Sequence, residues 1–168
     1  AGGIAPSLEG EEMPVSAPGF RGGDREDIQL PTVQRNVVKA LKEAGKRIVF
    51  VNFSGSAMGL VPESRNCEGM IQAWYPGQAG GTAIVDVLFG KYNPAGRLPV
   101  TFYRDIKQLP DFQDYSMRGR TYRYFRGNPL YDFGYGLSYT TFEYGKAKLS
   151  KGAMDKNGTC TIVIPVMN

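Results

Sequence analysis

The stretch "LPTVQRNVVKALKEAGKRIVFVNF", residues 30–53, decides the fold. Pro31 suits the first position of a helix, where its missing N–H costs nothing. Val33, Val37, Leu41 and Ala44 then recur at helical spacing, and Gly45 stands where a helix would end. The spacing predicts a helix over 31–44 with that stripe turned to the core. "RIVFVNF" (47–53) follows at once and carries no alternation of polar and apolar residues. Such a run reads as a strand buried on both faces, as in a parallel sheet.

Working outward, "SGSAMGLVPES" (54–64) reads as a turn-rich connection, and "GMIQAWY" (69–75) as a second apolar strand. "GGTAIVDVLFGKYNPAG" (80–96) holds a helix near 80–89, with Ala83/Val87 and Ile84/Leu88 at i,i+4 and Gly90 as its stop. Helix, strand, loop, strand and helix joined by short connections predict an α/β fold: a layered, mainly parallel sheet with helices on both faces. Residues 1–29 read as loop. Beyond residue 96 the chain turns aromatic, and Tyr131, Phe133, Tyr135, Leu137 and Tyr139 alternate with smaller or polar residues. Period two predicts an extended strand with one buried face, shifted in phase at Thr140-Thr141. Residues 145–168 read as two short strands joined at "DKNGT", with Asn157-Gly158 in the hairpin turn. The expected division is therefore 1–128 for the α/β domain, 129–144 for an aromatic-rich linker, and 145–168 for the start of a β domain.

Composition narrows the chemistry. The 168 residues have room for a sizeable core, and no apolar run is long enough to span a membrane. The net charge of +4 is spread along the chain apart from Arg118, Arg120, Arg123 and Arg126, so no nucleic-acid partner is expected. There is no histidine, which removes Ser-His-Asp and Cys-His triads, histidine-ligated zinc and a histidine pH switch from this chain. Cys67 and Cys160 are too few and too separate for a disulfide framework and are expected as buried free thiols. The opening "AGGIAPS" and the closing "TCTIVIPVMN" both look cut, as in a piece of a larger protein.

Three stretches could carry chemistry. The glycines of "YPGQAGGTAIVDVLFG" could cradle a phosphate, but the stretch lacks both G-x-G-x-x-G and Gly-Lys-Ser/Thr. Close packing of the helix start against the strand is the better explanation. "NFSGSAMG" misses the G-x-S-x-G spacing of a nucleophile elbow. Trp74 and Tyr75 stand at the carboxyl end of a predicted strand, the edge where ligands collect in open α/β sheets, although core packing would explain them equally well. The third stretch, "APSLEGEEMPVSAPGFRGGDR" (5–25), crowds Glu9, Glu11 and Glu12 into a Pro/Gly loop. Crowding and burial can raise one carboxyl's pKa until it serves as a general acid; the bland alternative is three solvated charges. The cluster lacks the alternating oxygen ligands of a calcium loop, and neither a metal nor a cofactor is called for.

"AWYPGQAGGTAIVDVLFGKYNPAGRLPVTFY" (73–103), "DYSMRGRTYRYF" (114–125) and "PLYDFGYGLSYTTF" (129–142) together resemble the carboxyl-terminal α/β domain of family 3 glycoside hydrolases, the exo-acting β-glucosidases and β-xylosidases. The tail 145–168 resembles the opening of the fibronectin type III-like domain that often follows. The resemblance implies a retaining double displacement on a β-linked oligosaccharide or glycoside. An aspartate nucleophile on a preceding TIM-like barrel and an acid/base glutamate from this domain would divide the work. Matching Gly10-Glu11 to the family's Gly-Glu favours Glu11, then Glu9, then Glu12. Trp74 and Tyr75 are the candidate substrate-binding residues. The fragment alone is expected to be inactive for want of the barrel, and to self-associate through an exposed sheet edge. The resemblance also implies a secreted or periplasmic address. The alternative function is a non-catalytic carbohydrate-binding or interaction module.

Overall fold

A computed structural model describes residues 1–3 and 17–168. Its centre is a three-stranded parallel sheet of β1 (Gly2–Gly3), β4 (Val49–Phe53) and β5 (Gly69–Gln72), in the order β1-β4-β5. Gly2 pairs with Asn52, and Val49 to Asn52 pair in turn with Gly69 to Gln72. The parallel α/β fold expected from residues 30–96 is therefore present. The segment before the first helix is not all loop, because β2 (Phe20–Arg21) and β3 (Asp24–Arg25) form a small hairpin. Gly22 and Gly23 both have positive φ, the two-residue turn whose twist suits a hairpin and which strongly favours glycine.

Helix α1 (Thr32–Glu43) forms where the spacing placed it, and its end follows from Gly45. Gly45 has φ 69, its N–H bonds the Lys42 carbonyl, and the Lys46 N–H reaches the Leu41 carbonyl at 3.0 Å. These two bonds are the glycine-dependent Schellman closure. The expected apolar stripe, however, faces away from the core: Val33 is 70% exposed and Val37 55%, while Val38 is buried. One turn back, at i−3 and i−4 from Val38, Arg35 and Gln34 share its side of the helix and form bonds to neighbouring elements there. Helical period located the helix, but polar contacts chose which side faces inward.

Residues 61–66, read as part of a turn-rich connection, form the short helix α2 (Val61–Asn66), with Pro62 in its first turn where a missing N–H is tolerated. The second strand ends at Gln72, leaving Trp74 and Tyr75 beyond it. α3 (Gly80–Leu88) matches expectation and ends before Gly90, which has φ 73. A Cβ on Gly80 would lie 2.5 Å from Pro76 Cβ, which favours the packing explanation for the glycine-rich turn.

The core gathers Phe20, Leu30, Val38, Ile48, Phe50, Met58, Leu60 and Phe102, joined at its margin by Trp74 and Tyr131. It lies on the sheet face that carries Phe50. Val49, Val51 and Ile71 point to the other face, and a cavity of about 680 Å³ lined by Val49, Ile71, Val87 and Leu88 also takes in Met70, Phe102 and Tyr131 from the core side. Val49 is exposed, so β4 is not buried along its whole length as its composition suggested.

The long strand expected over 131–139 does not form. Only Tyr131 bridges, to Phe102, and Gly134 turns the chain with φ 82. Alternation there reflects ring pairing instead: Tyr135 stacks on Tyr131 at 4.8 Å and Phe133 on Tyr122 at 4.4 Å. A single turn of helix, α4 (Thr121–Tyr124), precedes it.

At the C-terminal end β6 (Glu143–Tyr144) pairs antiparallel with β9 (Val166–Met167), and β7 (Lys148–Leu149) with β8 (Ile162–Val163). The tight turn between them spans Asp155 to Gly158, closed by the Gly158 N–H on the Asp155 carbonyl at 2.8 Å. Asn157-Gly158 thus fills its second half rather than its centre. Cys67 and Cys160 are free, as expected, but half-buried rather than buried. Burial, then Glu63 and Glu68, push the Cys67 thiol pKa up.

Candidate functional site

The carboxyl ends of the three parallel strands lie side by side, so the chain leaves the sheet there at Gly3, Phe53 and Gln72. Ligands collect at this edge in open α/β sheets because the connections diverge from it. Glu9, Glu11 and Glu12 lie outside the described residues; the two segments that flank them do not. On one side is Gly3, at the carboxyl end of β1. On the other, Phe20 is buried in the core and Arg25 of the hairpin reaches the loop after β4. Its guanidinium donates to Ser56 Oγ and to the Ala57 carbonyl, the latter at 3.2 Å. The described residues on both sides of the acidic stretch, Gly3 and the hairpin, are thus placed at this edge or tied to it.

Behind the hairpin a charged pair fixes the next segment. Glu63 is fully buried and accepts from Arg35 Nε at 3.0 Å and Nη2 at 3.3 Å. The same Nη2 donates to Gln29 Oε1 at 2.8 Å and to the Gly59 carbonyl at 3.0 Å, and the Gly59 N–H donates to the Ile28 carbonyl at 2.7 Å. One guanidinium thus joins α1, α2, the loop after β4 and the chain following the hairpin. An ion pair so deep requires its hydrogen bonds to offset desolvation, and here the carboxylate has two of them.

Under the edge lies a second polar group. Asn52 Nδ2 donates to Ser54 Oγ at 3.0 Å and Gln72 Oε1 at 2.6 Å, and Gln72 Nε2 returns to Ser54 Oγ at 3.1 Å. Ser54 Oγ donates to the Ser56 carbonyl at 2.9 Å, shaping the loop on which Arg25 docks. Asn52 Oδ1 and Thr101 Oγ1 are buried with no hydrogen-bond partner among the described residues.

Trp74 and Tyr75 both belong to this edge, in different ways. Trp74 has φ 55, a backbone state that costs a bulky residue of order 1–3 kcal/mol. Its ring meets Phe102 edge-on at 6.1 Å, so it is part of the core margin. It also lines a cavity of about 620 Å³ with Ser56, Thr101 and Tyr103. Tyr75 is exposed and its ring lies over Gly55, where a Cβ would come within 2.8 Å of it. The structure therefore brings Trp74, Tyr75, Ser56, Arg25 and Gly3 to one end of the sheet.

The sequence reading missed the Arg35–Glu63 pair, the Asn52–Ser54–Gln72 group and the contacts of Gln34. The one available signal was polar residues placed inside apolar stretches: Asn52 within "VFVNF", and Gln34 and Arg35 within the helix.

Comparison with known proteins identifies the architecture. The family model for the glycosyl hydrolase family 3 C-terminal domain matches residues 2–139. A xylan 1,4-beta-xylosidase of Xylanibacter ruminicola is 62% identical over 99% of this chain, which covers 19% of that protein. A periplasmic beta-glucosidase of Salmonella typhimurium is 40% identical over 86% of the chain and 20% of that protein. Among solved structures, a β-glucosidase from Erythrobacter marinus superposes with TM-score 0.72 at 35% identity, over 95% of this chain and 22% of that one. A family 3 exo-beta-xylosidase bound to a xylobiose aziridine probe gives 0.67 at 35% identity, over 76% and 18%. The chain thus spans about a fifth of the length of the relatives it matches. With the parallel sheet, its flanking helices and residues 2–139 all in agreement, this chain belongs to the glycosyl hydrolase family 3 C-terminal domain family.

Proposed function

We propose that this chain is the part of an exo-acting, retaining β-xylosidase or β-glucosidase that supplies the general acid/base carboxylate. Glu11 is the first choice, then Glu9 and Glu12. The observation that carries the reading is the pair of anchors flanking the acidic segment. Gly3 lies at the carboxyl end of the sheet, and the hairpin after the segment is held there by Arg25. The residues flanking that segment thus mark the edge where a neighbouring domain and its sugar would meet this one. The 62% identity to a xylan 1,4-beta-xylosidase supports β-xylosides as the first substrates to test.

The division of labour follows from chemistry. In a retaining glycosidase the acid and nucleophile stand about 5–5.5 Å apart on opposite roles of one bond: the acid protonates the departing oxygen while the nucleophile takes the anomeric carbon. The same glutamate then removes a proton from the water that frees the sugar. The nucleophile would come from a TIM-like barrel elsewhere in the intact protein, so this chain alone would not hydrolyse glycosides. Trp74 and Tyr75 would contact the substrate or its leaving group from the same edge. Residues 145–168 would open a fibronectin type III-like domain, and the whole protein would work in the periplasm or outside the cell, as the name of the Salmonella relative suggests.

The test uses the full-length enzyme and two substrates. A poor leaving group needs its proton, whereas an activated aryl group departs without one. Glu11→Ala should lower kcat/KM for xylobiose or cellobiose by about 10²–10⁴-fold, and for a dinitrophenyl glycoside far less. Should Glu9→Ala or Glu12→Ala show that pattern instead, the acid is reassigned within the cluster. Three silent substitutions would defeat the reading and leave a non-catalytic module.

A further inference from the structure

The cavity of about 620 Å³ at the carboxyl end of the sheet gathers three features that packing alone leaves unexplained. First, Thr101 lines it, is only 6% exposed, and its Oγ1 has no hydrogen-bond partner among the described residues. A buried hydroxyl without a partner lowers stability, and a valine of the same shape would avoid that cost. Second, Trp74 lines it with φ 55, a left-handed backbone state for a bulky residue. Third, Tyr103 lines it, and its hydroxyl accepts from the N–H of Thr121 at 3.0 Å, where Thr121 has φ 58. Trp74 and Thr121 are the two non-glycine residues with positive φ among the described residues, so both points of backbone strain bear on one cavity. Strain of this kind persists where the surroundings over-determine it, and it clusters at ligand sites.

The lining limits the ligand class. Trp74 and Tyr103 supply rings, Ser56 and Thr101 supply hydroxyls, and no charged side chain lines the cavity among the described residues. Rings and hydroxyls without charge suit a neutral, polyhydroxylated ring, whose C–H face packs on an aromatic while its hydroxyls find donors and acceptors. We propose that this cavity binds the sugar unit on the leaving-group side of the cleaved bond, with Thr101 Oγ1 hydrogen-bonded to one of its hydroxyls. This rests on the function proposed above and adds the residue that reads the leaving group. Arg25 donates to Ser56 Oγ, so the cavity shares a side chain with the contact that ties the hairpin to this edge. A simple aryl leaving group brings no sugar hydroxyl to Thr101, and the cavity therefore favours an oligosaccharide.

The experiment measures binding to the full-length enzyme by calorimetry, with xylose and with thio-linked xylobiose, whose sulfur bridge resists hydrolysis. Thr101→Val removes the hydroxyl and keeps the shape. Val100→Phe fills the cavity from a side chain that is already 42% exposed. The ratio of the thioxylobiose Kd to the xylose Kd should rise about 3- to 10-fold in Thr101→Val and at least about 10-fold in Val100→Phe. The melting temperature of Thr101→Val should be no lower than the parent's. An unchanged ratio in both variants overturns the proposal, and a raised melting temperature beside it would mark the hydroxyl as a packing defect. A rise in Val100→Phe alone overturns the role of Thr101. Parallel loss of affinity for both sugars, following a lower melting temperature, overturns the site, because a merely structural role acts on both. The glutamate variants report on the acid/base assignment separately. Their silence beside a raised ratio would defeat that assignment and leave the sugar site standing; an unchanged ratio beside a large loss of turnover in Glu11→Ala would defeat the site alone.

Discussion

Residues 20–102 and residues 103–168 hold themselves together by different means. In the first stretch, side chains far apart in sequence meet atom to atom: Arg35 with Glu63, Arg25 with Ser56, Asn52 with Gln72. In the second, bonds within a loop stand beside bonds that lean on the first stretch, such as Ser138 Oγ to the Pro94 carbonyl and the Tyr139 N–H to Asn93 Oδ1. Arg120 reaches the Ser116, Asp111 and Asp114 carbonyls, and the Ser116 side chain, then the Ser116 N–H, draw the Asp114 carboxyl pKa down. Phe112 is 91% exposed and Tyr115 90%, and the apolar residues of β8 and β9 are exposed too. Large exposed rings in such number mark a surface meant to be covered. The lesson is that the sheet edge specifies its own geometry, whereas the aromatic stretch leaves many of its large rings in water.

The comparison can be broken most forcefully at Glu63. Removing one partner of a buried ion pair leaves an uncompensated guanidinium, so Glu63→Ala should cost about 3–5 kcal/mol in urea unfolding. Phe102→Ala should cost a similar amount, because the ring sits fully buried between Trp74 and Tyr131 and its loss opens a cavity. If either substitution were neutral, the first stretch would not be the self-supporting one.

A smaller effect tracks pH. The Ile48 N–H, then Lys42, lower the Glu68 carboxyl pKa from the usual 4.5 to about 2. A carboxyl depressed by folding stabilises the native state above its unfolded pKa and loses that contribution as pH falls through the folded one. Glu68→Gln should therefore be less stable than the parent at about pH 6, with the difference vanishing as the pH falls toward 2. A difference that persists at the acid end would point to packing rather than charge.

In the C-terminal ribbon Ile162→Ser should change stability by less than about 0.5 kcal/mol, since the side chain is already in water. The same exposure, with β1 and β5 as the outer strands of the sheet, should make this chain self-associate. Light scattering that reports a monomer at high concentration would count against it.

Legibility in the sequence followed the same boundary. Periodicity found α1, β4, β5 and α3 within a few residues, because those elements are specified by local spacing and by glycines at their ends. It misjudged the buried side of α1, since Gln34 and Arg35 are held inward by partners 31 and 28 residues away that no window contains. It read Tyr131 to Tyr139 as one strand because stacked rings and a pleated strand can share a period of two. The acidic cluster was conspicuous from composition; what flanks it, Gly3 clasped by Gln34 and Arg25 on Ser56, became visible only in three dimensions.

The most direct test of the acid/base assignment is the product that forms when the full-length Glu11→Ala enzyme turns over an activated aryl glycoside in azide. Azide needs no base, so it can attack the glycosyl-enzyme that water cannot, and a retaining enzyme without its acid/base should release the β-glycosyl azide with kcat restored. Release of the free sugar alone, at a rate azide does not change, in Glu11→Ala and equally in the Glu9→Ala and Glu12→Ala variants, would contradict the account.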